Sequence, residues 1–184
     1  MSLSSGKTNM TKGLVVVYKV GYRFRWTLAV ILFSYSFDSS GQQIEVIKAD
    51  QLFHMIDQCP EKNKLHVYNF WATWCAPRVR EIPHFESLNN SDRNVNVTLI
   101  SIDDVDLLEK KVIPFVKRKE IKSNVVLLDE TDFNEIIDKI DKSWSGAIPA
   151  SLIVDCRSGK RLFYEKEFKA GELEKAIEMI INHP

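Results

Sequence analysis

Leu65-His66-Val67-Tyr68-Asn69-Phe70-Trp71-Ala72-Thr73-Trp74-Cys75-Ala76-Pro77-Arg78 runs from an apolar, β-rich stretch into a cysteine and then into a helix. Residues 65–71 carry the valine and aromatics of a buried or half-buried strand. Downstream, Val79, Ile82, Phe85 and Leu88 recur at helical spacing, which predicts a helix. Cys75 thus falls at a strand-to-helix junction, where unpaired helix N–H groups are expected to favour the thiolate. Pro77 suits the first helical turn, where its missing N–H costs little. Pro83, inside the same helix, should bend it.

The rest of the chain alternates in the same way. Ile44-Glu45-Val46-Ile47 reads as a short strand, and Asp50 is expected to cap a helix through Gln58 with Leu52, Phe53 and Ile56 on one face. Residues 89–94 (Asn-Asn-Ser-Asp-Arg-Asn) read as a polar loop before the strand Val95–Ser101. Asp103, Asp104 and Asp106 are expected to open a helix that Lys117, Arg118 and Lys119 close, with Pro114 kinking or splitting it. Asn124–Leu128 is a further strand, Asp132–Ile140 a short helix, and Pro149–Asp155 an apolar strand. Ser158-Gly159 turns into Arg161–Glu165, and a last helix from Ala170 uses Leu173, Ala176, Ile177 and Ile180 as its inner stripe.

The 184 residues suffice for one domain with a real core, and 45% hydrophobic with 27% charged residues is a soluble globular composition. Lys+Arg and Asp+Glu balance at 25 each, which gives no indication of a nucleic-acid partner. The balance is uneven, because residues 1–41 hold Lys7, Lys12, Lys19, Arg23 and Arg25 against Asp38 alone. The apolar run Trp26–Phe37 follows these cations, and Ser39-Ser40-Gly41 follows the run, which is the layout of a secretory signal peptide. Residues 1–41 are accordingly read as a signal peptide or a retained signal anchor, the latter a membrane tether, with an extra N-terminal strand as the third reading. Residues 42–184 are the domain. His54, His66, His84 and His183 are scattered without ligand spacing, so no metal is expected, and no cofactor is implied.

Trp71-Ala72-Thr73-Trp74-Cys75-Ala76-Pro77, followed by Arg80-Glu81-Ile82-Pro83, resembles the active-site segment of thioredoxin-fold proteins, closest to the TlpA/ResA-like thiol-disulfide oxidoreductases. The resemblance implies an α/β thioredoxin-like fold, a mixed central sheet flanked by helices. The strand and helix of residues 124–140 match the insertion that sets TlpA-like proteins apart. Ile148-Pro149 falls where the family has its cis-proline, which would place the Ile148 backbone beside Cys75 to pair with an extended substrate. Trp74, Ala76 and Pro77 would line the same groove. Glu81 matches a family position and is read as a solvated or capping charge, and Asn69 stands where some thioredoxins have a buried aspartate.

One position departs from the pattern. Arg78 stands where the family has its second cysteine, so the attacking thiol remains and the resolving thiol is gone. Two readings of Arg78 stand open: its cation stabilises the thiolate or grips an anionic substrate group, or it is a tolerated replacement on a scaffold that has lost redox chemistry. The first gives thiol-disulfide exchange through Cys75 alone, with protein thiols or disulfides as partners, in the periplasm or cell envelope. The second gives a binding module using the groove around Cys75 and Pro149. In this fold Cys59 and Cys156 would both lie at the strand ends away from Cys75, and they are either joined as a structural disulfide or remain two separate thiols.

Overall fold

Strand-forming runs and amphipathic helices alternate along the chain, and this alternation builds one six-stranded sheet with helices on both faces. The computed structural model describes residues 43–182. The reading of residues 1–41 as a signal peptide or anchor lies outside them.

The elements in order are β1 (Glu45–Ile47), α1 (Ala49–Gln58), β2 (Leu65–Trp71), α2 (Ala76–Ser91), β3 (Val95–Ser101) and α3 (Ile113–Arg118). They continue with β4 (Asn124–Leu128), α4 (Asn134–Ile140), β5 (Ala150–Asp155), β6 (Lys160–Tyr164) and α5 (Glu172–Asn182). The strand order is β1-β4-β3-β2-β5-β6. β1, β4, β3 and β2 run parallel, whereas β5 is antiparallel to β2 and β6 to β5. This is the mixed sheet that the resemblance implies.

Alternation along β2 sends Leu65, Val67 and Trp71 to one face, where they pack with Ile82, Phe85 and Leu88 of α2 and with Leu173, Ala176, Ile177 and Ile180 of α5. Tyr68 and Phe70 point to the other face, against Leu52 and Ile56 of α1 and Ile136 and Ile140 of α4. Every residue of β2 is buried, as befits a central strand covered on both sides.

Four local expectations are corrected. Asp50 lies within the first turn of α1, whose N-cap is Lys48. The polar run at Asn89 does not begin a loop, because α2 continues to Ser91 and the Asn89 side chain accepts a hydrogen bond from the Val97 amide at 3.0 Å. The segment after β3 is no single helix. It passes from a 3₁₀ turn (Val105–Leu107) through a π turn (Leu108–Val112) into α3, with Pro114 in the first turn of α3, where proline is tolerated. The helix expected from Asp132 starts at Asn134.

Candidate functional site

Cys75 is the N-cap of α2 and is half-buried, at the point where the chain leaves the C-terminal end of β2. Two of the four residues before it, Trp71 and Thr73, are held by long-range contacts. The Ile102 amide donates to the Trp71 carbonyl at 2.8 Å, which carries the β2–β3 pairing past the strand end. Asp103 then turns its carboxylate inward. It accepts from the Thr73 amide at 2.8 Å, the Thr73 hydroxyl at 2.6 Å and the Ser101 hydroxyl at 2.8 Å. Its residue is 2% exposed, so these three donors take the place of water around a carboxylate. The sequence reading made Asp103 a helix-opening charge. The structure makes it the clamp on the loop that ends in Cys75.

Pro77 stands in the first turn of α2, as expected. The side chains of Ala76, Pro77 and Arg78 lie outside the described residues, so the roles expected of them remain proposals. Trp74 is 62% exposed beside Cys75, whereas Phe70 and Trp71 are fully buried in the core.

The second wall comes from the far side of β2. The register Phe70↔Ala150 brings the residues just before β5 alongside the end of β2, and the Ile148–Pro149 peptide bond there is cis. Ile148 and Pro149 are both half-buried. Behind the site, Asn69 donates to Glu81 at 3.0 Å and to the Ser151 hydroxyl at 3.0 Å. Glu81 also accepts from the Phe168 amide at 3.0 Å. Glu81 is 1% exposed, so its reading as a solvated or capping charge is overturned: it is a buried carboxylate joining β2, α2 and the approach to α5.

Cys59 and Cys156 are joined by a disulfide with a Cα–Cα separation of 5.5 Å. The Cys156 amide donates to the carbonyl of Lys64, the residue before β2 begins, so the bridge sits at the opposite end of that strand from Cys75. Seven strand residues separate the two ends, roughly 20 Å at the usual rise. Cys75 is the free cysteine among the described residues, and neither other sulfur reaches it.

A free thiol at a helix start and a cis-proline thus lie at the same end of one mixed sheet. The fold is thioredoxin-like, and the sequence resembles ResA. The chain is 33% identical over 100 residues to the thiol-disulfide oxidoreductase ResA of Bacillus cereus, covering 54% of this chain and 53% of that protein. Among solved structures, the thioredoxin-related protein of Neisseria meningitidis serogroup B has a TM-score of 0.55 at 18% identity, over 65% of this chain and 86% of that one. A thiol:disulfide interchange protein from Chlorobium tepidum TLS has a TM-score of 0.51 at 22% identity, over 64% and 80% of the two chains. No family model matches the chain. The chain spans about half the length of the curated relatives it matches.

Of the residues predicted for the site, the thioredoxin-like fold brings Cys75, Trp74, Ile148 and Pro149 to one end of the sheet and separates Cys59 and Cys156 from them. Sequence reading missed Asp103. The available signal was a Ser-x-Asp pattern at the end of a β-run, Ser101-Ile102-Asp103, which resembles helix-start chemistry when read alone.

Proposed function

We propose that this domain carries out thiol-disulfide exchange through the single thiol of Cys75, as an exported protein of the cell envelope acting on protein thiols and disulfides. The observation that carries the reading is a free, half-buried cysteine at the N-cap of α2 while both other cysteines are tied to each other. The similarity to ResA supports the reaction class. The Cys59–Cys156 bridge suits an oxidising compartment, and the basic-then-apolar layout of residues 1–41 supports export.

The Cys75 thiolate attacks one sulfur of a substrate disulfide, forms the Cys75–substrate bond and releases the other substrate sulfur as a thiolate. No electrons are lost or gained by the pair as a whole. In the two-cysteine pattern the residue at position 78 would attack next, and Arg78 has no sulfur to do so. The mixed disulfide therefore lasts until an external thiol takes the substrate half.

The test is to mix the protein with an oxidised, disulfide-bearing peptide, quench with acid and map adducts by mass spectrometry. The expected result is one adduct at Cys75, absent in Cys75→Ser and persistent without added thiol. Arg78→Cys should shorten its lifetime and leave Cys75 bridged to the introduced thiol. An adduct formed no faster than on the unfolded chain would overturn the exchange reading. Retained peptide binding in that case would point to the groove as a binding module.

A further inference from the structure

Glu165 lies directly after β6, and its carboxylate is occupied by one short loop. It accepts from the amides of Ser145 and Ala147, each at 3.0 Å, and from the Ser145 hydroxyl. Between the two amides, Gly146 has φ +89°, the left-handed backbone at the turn from whose two sides the Ser145 and Ala147 N–H groups reach one carboxylate. A Cβ on Gly146 would come 2.9 Å from the Ile137 side chain, so the tight turn also depends on glycine.

The opposite side of the loop is held as firmly. The Trp144 indole N–H donates to the Ala147 carbonyl at 2.7 Å, and its ring packs on Phe70 and Phe163 at centroid distances of 4.8 and 5.6 Å. Both polar groups of the Ala147 backbone are thereby fixed, one by Glu165 and one by Trp144. The next two residues are Ile148 and Pro149.

We propose that Glu165 is the positioning residue of the substrate wall, fastening Ser145–Ala147 so that Ile148–Pro149 meets an extended disulfide substrate in one fixed setting. The inference rests on the exchange reading above. Glu165 acts on docking through the loop and is no part of the attacking group. Removing it should therefore weaken substrate saturation and spare the intrinsic reactivity of Cys75.

The experiment uses the full chain with Glu165→Ala and Glu165→Gln, and it has three readouts. The first is amide hydrogen exchange at Ser145 and Ala147. The second is alkylation of Cys75 by iodoacetamide, and the third is the concentration dependence of Cys75 adduct formation with the disulfide-bearing peptide. In Glu165→Ala the two amides should exchange at least about tenfold faster and half-saturation should rise about tenfold. The limiting rate and the alkylation rate should stay within about twofold. Glu165→Gln, which keeps one acceptor oxygen, should fall between.

Unchanged exchange at Ser145 and Ala147 would overturn the clamp itself. Faster exchange with unchanged half-saturation would overturn the positioning role and leave the exchange reading intact. No adduct on the unmutated chain would overturn the exchange reading, and with it the docking role that depends on it.

Discussion

Asp103 carries a carboxylate into a site with almost no water, and two of its three donors come from Thr73, thirty residues earlier in the chain. Replacing one oxygen by an amide turns a donor toward donors. Asp103→Asn should therefore destabilise the fold by about 2 kcal/mol, read as a lower denaturant midpoint. Thr73→Val should cost about 1 kcal/mol and the pair should be less than additive, since both remove the same bond. An Asp103→Asn protein as stable as its parent would mean that Thr73 is held by something other than this carboxylate. At this scale the sequence was least legible. Cys75 declares itself by standing between a β-run and a helical stripe. Asp103 and Glu81 give no such signal, because apart from Ser101 the partners that explain their burial lie 12 to 87 residues away.

Elements were easier to read where periodicity ran unbroken. β2, β3, β4 and α5 follow from β-rich apolar runs or from a three-four stripe, and they appear within a residue or two of their expected limits. The exceptions have tertiary causes. Asn89 stays helical because its side chain is needed by the Val97 amide, and the segment after β3 is divided between 3₁₀, π and α turns ahead of Pro114. The contact between β2 and α1 carries a pH prediction. The Tyr68 hydroxyl donates to the Met55 carbonyl at 3.2 Å, and burial pushes its ionisation up to about 12, with Arg161 opposing the rise. In the unfolded chain a tyrosine ionises near 10. The folded state thus holds the proton more tightly, so this contribution is complete below about pH 10 and is lost as pH rises towards about 12. The loss amounts to about 3 kcal/mol. Denaturant midpoints measured across that interval should fall less steeply in Tyr68→Phe, and equal slopes would dismiss the assignment.

For the whole domain, the bridge between Cys59 and Cys156 closes a loop with a sequence separation of 97. A loop of that length restricts the unfolded chain by about 4.7 kcal/mol in the chain-entropy account, so the Cys59→Ala, Cys156→Ala double variant should lose stability on that scale. Iodoacetamide labelling of Cys75 in the still-folded variant should proceed at the parental rate, because β2 stands between the two ends. A changed rate would mean that the ends communicate. The fold class was legible at this scale from a single segment, because Trp71–Pro77 followed by Arg80-Glu81-Ile82-Pro83 resembles the active-site segment of thioredoxin-fold proteins and that resemblance implies the mixed sheet.

The length of β2 also governs reaction order. With the bridge at one end of the strand and the thiol at the other, no sulfur within the folded domain can reach Cys75, so every bond formed there is a meeting of two molecules. Covalent dimers joined through Cys75, where a disulfide oxidant is present, should therefore form at an initial rate that rises more steeply than the protein concentration, and once formed they should part only when a thiol is added. The internal bridge should survive to the same extent at any dilution.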